Sequence, residues 1–195
     1  MRRSQLSAIL HLTARIVGRL GEEMTIKQAT PAPQAYALAA GRGQNVKFLA
    51  THMSIKATSE QTGGEFGLLE SMVSPGFSPP LHIHHREHEA MWVIDGEVTF
   101  KCGDQILEAG PGSFVFLPRG IPHTFVIEGD TPARMLVLCT PGGFENYHIE
   151  GGTPALDDSI PASFDPAQLE ILRALHHKYE EEHVGPPLKP RGERG

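Results

Sequence analysis

No stretch of the sequence stays apolar for the roughly twenty residues a helix needs to cross a bilayer. No block of like charge occurs either. Seventeen basic residues stand against 23 acidic ones, for a formal charge of -6, which excludes the footprint of a nucleic-acid-binding chain and leaves small molecules as the expected partners. Cysteine is scarce. Cys102 and Cys139 lie far apart, so neither a disulfide framework nor a thiolate metal site is implied, and both read as small core residues of a reduced, cytoplasmic protein. Helical crossovers between strands are missing too, which argues against a parallel α/β sheet. No internal repeat is found.

What is there suits one sizeable core in 195 residues. From Gln34 to Thr140 the chain runs through short alternating or β-rich segments, QAYALAA, VKFLATHMSIKAT, EFGLLESMVS, LHIHH, EAMWVI, EVTFKC, QILEA, SFVFLP, HTFVIE and ARMLVLCT, separated by glycine, proline and acidic turns. That cadence predicts an all-β sandwich or barrel of antiparallel strands. Residues 1–30 read as an N-terminal extension, 31–145 as the barrel and 146–195 as a tail. In the extension, Leu6, Ile9, Leu10, Ile16, Val17 and Leu20 recur at helical spacing, so an amphipathic helix packed on its own domain or a partner is expected, with membrane attachment the lesser reading. His11, Arg15, Gly18 and Arg19 interrupt the apolar run and no cleavage site follows, against a signal peptide. Met24 opens what looks like an ordinary N-terminus, which would leave residues 1–23 outside the fold. In the tail a helix is expected over about 166–182, capped by Asp165 and begun by Pro166, with Leu169, Leu172, Leu175 and Tyr179 on one face. The final GPPLKPRGERG is expected to fray.

The segment PPLHIHHREHEAMWVIDG, residues 79–96, carries four histidines and two glutamates. On a strand, His82 and His84 share a face and Ile83 takes the other. Glu89 opens the next strand on a face with Met91 and Val93, and a turn over residues 85–88 brings its carboxylate back beside the pair. His123 begins a later strand with Phe125 and Ile127 on its face. Such a site draws three nitrogens and one oxygen from three strands. Glu87 shares Glu89's parity but lies in the turn, so Glu89 is preferred as ligand. His85 and His88 are expected in solvent, Trp92 outward toward a subunit contact. His52, His148, His176, His177 and His183 stand outside any ligand spacing.

Residues 76–96, GFSPPLHIHHREHEAMWVIDG, match the first motif of the cupins, G-x5-H-x-H-x4-E-x6-G, at every fixed position. Residues 112–127, GSFVFLPRGIPHTFVI, match the second, G-x5-P-x-G-x2-H-x3-N, except that Ile127 replaces the asparagine. The chain therefore resembles a single-domain cupin over roughly residues 45–140. The resemblance implies a double-stranded β-helix, a jelly-roll barrel with a metal inside one end, held by His82, His84, Glu89 and His123. Ile127 is not a ligand position.

Three imidazoles and one carboxylate suit one divalent transition ion, whether iron, nickel, manganese, cobalt, copper or zinc. A bidentate anionic substrate, an enediol, flavonol or β-diketone, fits the open positions of such a centre, with the metal as Lewis acid and Glu89 alternating between ligand and general base. Met72, Met91, Phe125, Met135 and Val137 are the expected apolar pocket lining. Phe144 and Tyr147, after the last barrel strand, either fold over the mouth as a lid or pack the tail on the barrel. GGEFGLLESMVSPGFSPPLHIHHREHEAMWVIDGEVTF and PGGFENY are most similar to the quercetin dioxygenase-like group, which implies a metal-dependent dioxygenase. A cupin-type isomerase, cyclase or decarboxylase, and a non-catalytic ligand-binding cupin, are the alternatives. A homodimer is expected, because small cupins often pair through sheet edges.

Overall fold

The computed structural model describes residues 15–17, 23–25, 32–161 and 166–194. The chain divides into two compact units, Met1–Pro31 and Ala32–Gly195. Most of the expected N-terminal helix lies outside the described residues. Where the first unit is described it is not helical: β1 (Arg15–Val17) and β2 (Glu23–Thr25) pair antiparallel. Gly18 and Gly21 between them weaken a helix, and β-branched Ile16 and Val17 suit a strand.

The second unit is two antiparallel sheets facing each other. Strands β3 (Gln44–Phe48), β4 (Thr51–Ala57) and β5 (Gly67–Val73) form three consecutive neighbours of the larger sheet, with a one-turn helix, α1 (Ser59–Thr62), between the last two. The expected single run VKFLATHMSIKAT is thus two strands. Leu49 takes a left-handed φ of 51°, and its N–H donates to Gln168 Oε1 at 3.0 Å, so the reversal is held from outside. QAYALAA forms no strand; alanine offers a pleated face too little apolar surface to hold one.

The chain then passes between the sheets through β6 (Leu81–His84), β7 (His88–Asp95), the hairpin of β8 (Val98–Cys102) and β9 (Gln105–Ala109) within one sheet, β10 (Phe114–Leu117), β11 (His123–Ile127) and β12 (Ala133–Thr140). After α2 (Glu145–Gly151), the short β13 (Thr153–Pro154) and α3 (Pro166–Tyr179) comes a last strand, β14 (Glu181–Gly185). The seven-stranded sheet is ordered β10-β7-β12-β5-β4-β3-β13 and the five-stranded one β14-β6-β11-β8-β9. This is the expected double-stranded β-helix. Alternation delivers its core: Met91 and Val93, Val98 and Phe100, Met135 and Val137 all point between the sheets and are buried. Cys102 and Cys139 are buried and unpaired.

Two glycines have conformations that explain their place in the motifs. Gly96 turns β7 into β8 at φ 83°, and a Cβ there would stand 2.7 Å from Ala133 Cα. Gly120, at φ 79°, donates its N–H to the His84 carbonyl at 2.9 Å, tying the loop before His123 to the strand that carries the other histidines.

The tail departs most from expectation. Helix α3 stops at Tyr179 instead of running to about 182, and Glu180 takes a left-handed φ of 52°. β14 then lies antiparallel on β6, with Glu181 opposite His84 and His183 opposite His82. The stretch expected to fray is docked: Leu81 N–H donates to the Pro186 carbonyl at 3.3 Å, Leu188 N–H to Ser78 Oγ at 2.9 Å, and Arg191 N–H to Glu128 Oε2 at 3.0 Å. Glutamates and histidines allow a helix, but the open edge of β6 offers a ladder, and tertiary pairing wins over propensity. The capping role read for Asp165 lies outside the described residues. Among the described residues no helix is long and apolar enough to cross a membrane.

Candidate metal centre

β6 places His82 and His84 on its buried face, and β11 sets His123 directly opposite His82. Glu89 comes from β7, in the other sheet, so the four side chains meet between the sheets. Ring centroids of His82 lie 5.0 Å from His84 and 4.6 Å from His123. Glu89 Oε2 is 3.2 Å from His123 Nε2 and 3.9 Å from His84 Nε2. One donor atom from each of the four falls within 4.8 Å of every other, and all four residues are buried.

The outer nitrogens explain why the inner ones converge. Nδ1 of His82 lies 2.7 Å from the Pro80 carbonyl and Nδ1 of His123 lies 2.9 Å from the Ile121 carbonyl, the same i−2 contact used twice. A carbonyl only accepts, so each Nδ1 donates outward and each Nε2 is turned inward, that of His123 to 3.2 Å from Glu89 Oε2. His84 uses a carboxylate for the same purpose: its Nδ1 donates to Glu87 Oε1 at 2.5 Å. Glu87, weighed against Glu89 as a ligand, is buried and serves His84 from the outer side instead. His85 and His88 are at the surface as expected; His85 meets Glu182, and His88 Nδ1 accepts the Arg119 N–H.

Electrostatics favour the metal-binding forms of His82 and Glu89 and make protons compete at His84. Burial, then the charges of His84 and His123, pushes His82 down to about 4, so it is neutral at physiological pH. Burial would lower His84 as well, but Glu89 and Glu87 outweigh it and raise it. For Glu89 burial works upward and is overcome by His84, His123 and His82, which hold the carboxyl well below its usual range. The other oxygen of Glu89 meets the Cys139 thiol at 3.6 Å. Burial pushes that thiol far up, so it stays a weak donor rather than a thiolate.

The cluster forms one wall of a cavity of about 280 Å³. Met91, Phe125, Met135 and Val137 line it as expected. Met72 does not: on β5 the inward parity belongs to Leu69, Ser71 and Val73, and Leu69 and Ser71 take the place assigned to it. Phe144 packs edge-on against His84 at 4.2 Å and stacks on Tyr147 at 5.0 Å. Both are buried, so this segment closes the cavity as part of the packed tail.

Sequence spacing also missed residues that only the tail's path brings in. His148 is buried within the lining, lowered to about 4 by burial, and its Nδ1 has no hydrogen-bond partner among the described residues. His176, Glu181 and His183 gather on the same wall. Glu181-x-His183 is an i, i+2 pair, a signal that shows only if the segment is read as a strand.

The chain is similar to a quercetin 2,3-dioxygenase of Bacillus subtilis, 27% identical over 142 residues, 73% of this chain and 41% of that protein, so it spans about two fifths of that relative's length. It is similar to a polyketide synthase CurC of Streptomyces cyaneus, 25% identical over 62% of this chain and 76% of that one. Among solved structures it is similar to the polyketide cyclase RemF from Streptomyces resistomycificus, 28% identical, with a TM-score of 0.42 over 52% of this chain and 70% of the other. Residues 69–139 match the family described as Cupin domain. That stretch runs from within β5 to the last residues of β12 and contains all four converging side chains; over it the chain resembles the cupins.

Proposed function

We propose that this protein is a metal-dependent dioxygenase acting on a small enediol- or flavonol-like substrate, with the ion held by His82, His84, Glu89 and His123. The observation that carries the reading is the convergence of three imidazole nitrogens and a carboxylate on the wall of a mostly apolar cavity. The donor set fits a divalent transition ion: two imidazoles have their outer N–H on carbonyls, the third on a carboxylate. When bound, such an ion supplies Lewis acidity that lowers the pKa of a substrate hydroxyl and, if redox-active, electron transfer toward dioxygen.

The chain's own groups do the rest. Glu89 Oε2 accepts the hydroxyl proton, while Cys139 holds its other oxygen in place. Met91, Phe125, Met135 and Val137 orient a flat apolar body, and Phe144 with Tyr147 excludes water from the reacting end. The Bacillus relative's name, quercetin dioxygenase, is consistent with this choice. A non-oxidative cyclase, isomerase or decarboxylase is the second reading, favoured by the match to polyketide synthase CurC over 76% of that protein. A non-catalytic cupin that only holds a small ligand is the third. Two unpaired buried cysteines support a reducing, cytoplasmic setting. Trp92, Phe114 and Phe116, exposed at and beside the β10 edge, support a homodimer.

The deciding experiment uses protein purified without an affinity tag, with metal content and oxygen uptake measured over a panel of enediols and flavonols. Oxygen consumption that requires a redox-active metal supports the dioxygenase. Anaerobic turnover, or equal activity with zinc, transfers support to the second reading, and stoichiometric ligand retention without turnover to the third.

A further inference from the structure

β14 continues the row of histidines past the first centre. His123, His82 and His183 stand opposite one another across β11, β6 and β14, and Glu181 stands opposite His84. Directly opposed residues share a sheet face, so the tail adds one imidazole and one carboxylate to the wall that already carries His82, His84 and His123. The left-handed turn at Glu180 then brings the end of α3 over them. His176 lies with its ring centroid 4.1 Å from that of His183. Its Nε2 is 3.7 Å from Glu181 Oε2, and His183 Nε2 is 3.5 Å from Glu181 Oε1.

These separations are too long for charge-assisted hydrogen bonds, which close to about 2.7–2.9 Å. Ligands bound at about 2.0–2.2 Å to one ion stand roughly 3.0–3.5 Å apart, as edges of a tetrahedron or octahedron. The two distances, which end on different oxygens of Glu181, are near the length of such an edge, and one donor atom from each of the three residues lies within 4.8 Å of the others. Glu181 makes the stronger point. Its side chain is only 7% exposed, yet its buried Oε2 has no hydrogen-bond partner among the described residues. A carboxylate oxygen buried in that state calls for a partner, and a cation held beside His176 and His183 would supply one.

We infer that His176, Glu181 and His183 form a second site for a divalent transition-metal ion, on the same cavity wall as the first and separate from it. Two imidazoles and one carboxylate on one face leave open positions. All three residues line the cavity, so those positions are available to an oxygen of a bound ligand. The Tyr147 hydroxyl, 3.1 Å from His176 Nε2, sits beside the triangle as a further oxygen. An ion there would also clip α3 to β14, and through β14 to the strand bearing His82 and His84. The inference does not depend on which reaction the first centre performs.

The test is stoichiometry. Untagged protein is stripped with a chelator, titrated with Co²⁺ while its visible absorption is read, and analysed for zinc after equilibration with Zn²⁺ and gel filtration. Wild type is expected to take about two ions per chain, and Glu181→Gln, which preserves size, about one. His82→Ala combined with His123→Ala should also leave about one. Circular dichroism confirms folding, and His183→Asn serves as a second variant in case Glu181→Gln unfolds. One ion per chain in wild type, retained in Glu181→Gln and His183→Asn, overturns the inference, as do two ions retained in both variants. If the first centre is misassigned instead, the His82/His123 variant keeps wild-type stoichiometry while Glu181→Gln still loses an ion.

Discussion

Glu87 allows the first centre to be tested through a residue that does not touch the proposed ion. It is buried and accepts the Nδ1 proton of His84, whose ring is 1% exposed. Glu87→Ala leaves that N–H without an acceptor in a place water does not reach, which costs the apo protein about 1–3 kcal/mol. It also removes the charge that makes His84 a stronger donor, and losses of this kind lower metal affinity roughly 10–100-fold, about 1.4–2.7 kcal/mol. One effect works the other way. Glu87 helps to raise His84, so its removal lessens competition from protons; repeating the titration at increasing pH separates that gain from the lost donor strength. Glu87→Gln separates the two costs, because its amide oxygen still accepts while the charge is gone: stability should recover most of its loss and affinity should not. Urea unfolding of apo protein reads the first quantity, and zinc titration against a chelator the second. Affinity unchanged within about twofold in Glu87→Ala, with His84→Ala abolishing binding, would refute the argument that the outer carboxylate tunes the ligand.

Glu128 buries its carboxylate against Thr99, the Arg191 N–H and Arg194, and these overcome burial to lower its pKa. A lowered folded value means stabilisation that is complete above the ordinary value of about 4.5 and is lost as pH falls through the folded one. Amide exchange at Leu188 and Arg191, corrected for its intrinsic pH dependence, should therefore speed up on acidification in wild type and be fast at every pH in Glu128→Gln. Val137→Phe should fill the cavity, abolish binding of flavonol-sized ligands seen by fluorescence quenching, and leave zinc content unchanged, at about 1–3 kcal/mol in stability. Gly96→Ala should cost more than about 1 kcal/mol in urea unfolding, since it combines a left-handed φ with a Cβ pressed on Ala133.

The barrel was legible because its strands alternate cleanly: EVTFKC, QILEA, HTFVIE and ARMLVLCT match strands to within a residue or two. The first cluster was legible because three of its four members lie within one strand, one turn and the next strand. Glu87 was set aside as a ligand because it lies in the turn; it is buried on Glu89's parity but reaches His84 Nδ1 from behind, a role that spacing alone does not reveal. Met72 was misplaced because parity on β5 puts Ser71 inside instead. The triangle of His176, Glu181 and His183 could not be read at all from spacing. EEEH is as good a helix end as a strand, and only the vacant edge of β6, about a hundred positions earlier in the chain, decides between them.

That edge bears on the order in which the molecule assembles. β6 has a single residue pair with β11 but four with β14, and contacts such as His85 to Glu182 close a span of 97 residues. Closing so long a loop is entropically slow compared with forming hairpins such as β8–β9 or β3–β4. The strand that carries two of the four converging donors is therefore set late, after the hairpin-built parts of both sheets. A bound ion would then act after the rate-limiting step. In kinetic experiments it should slow unfolding while leaving the folding rate nearly unchanged.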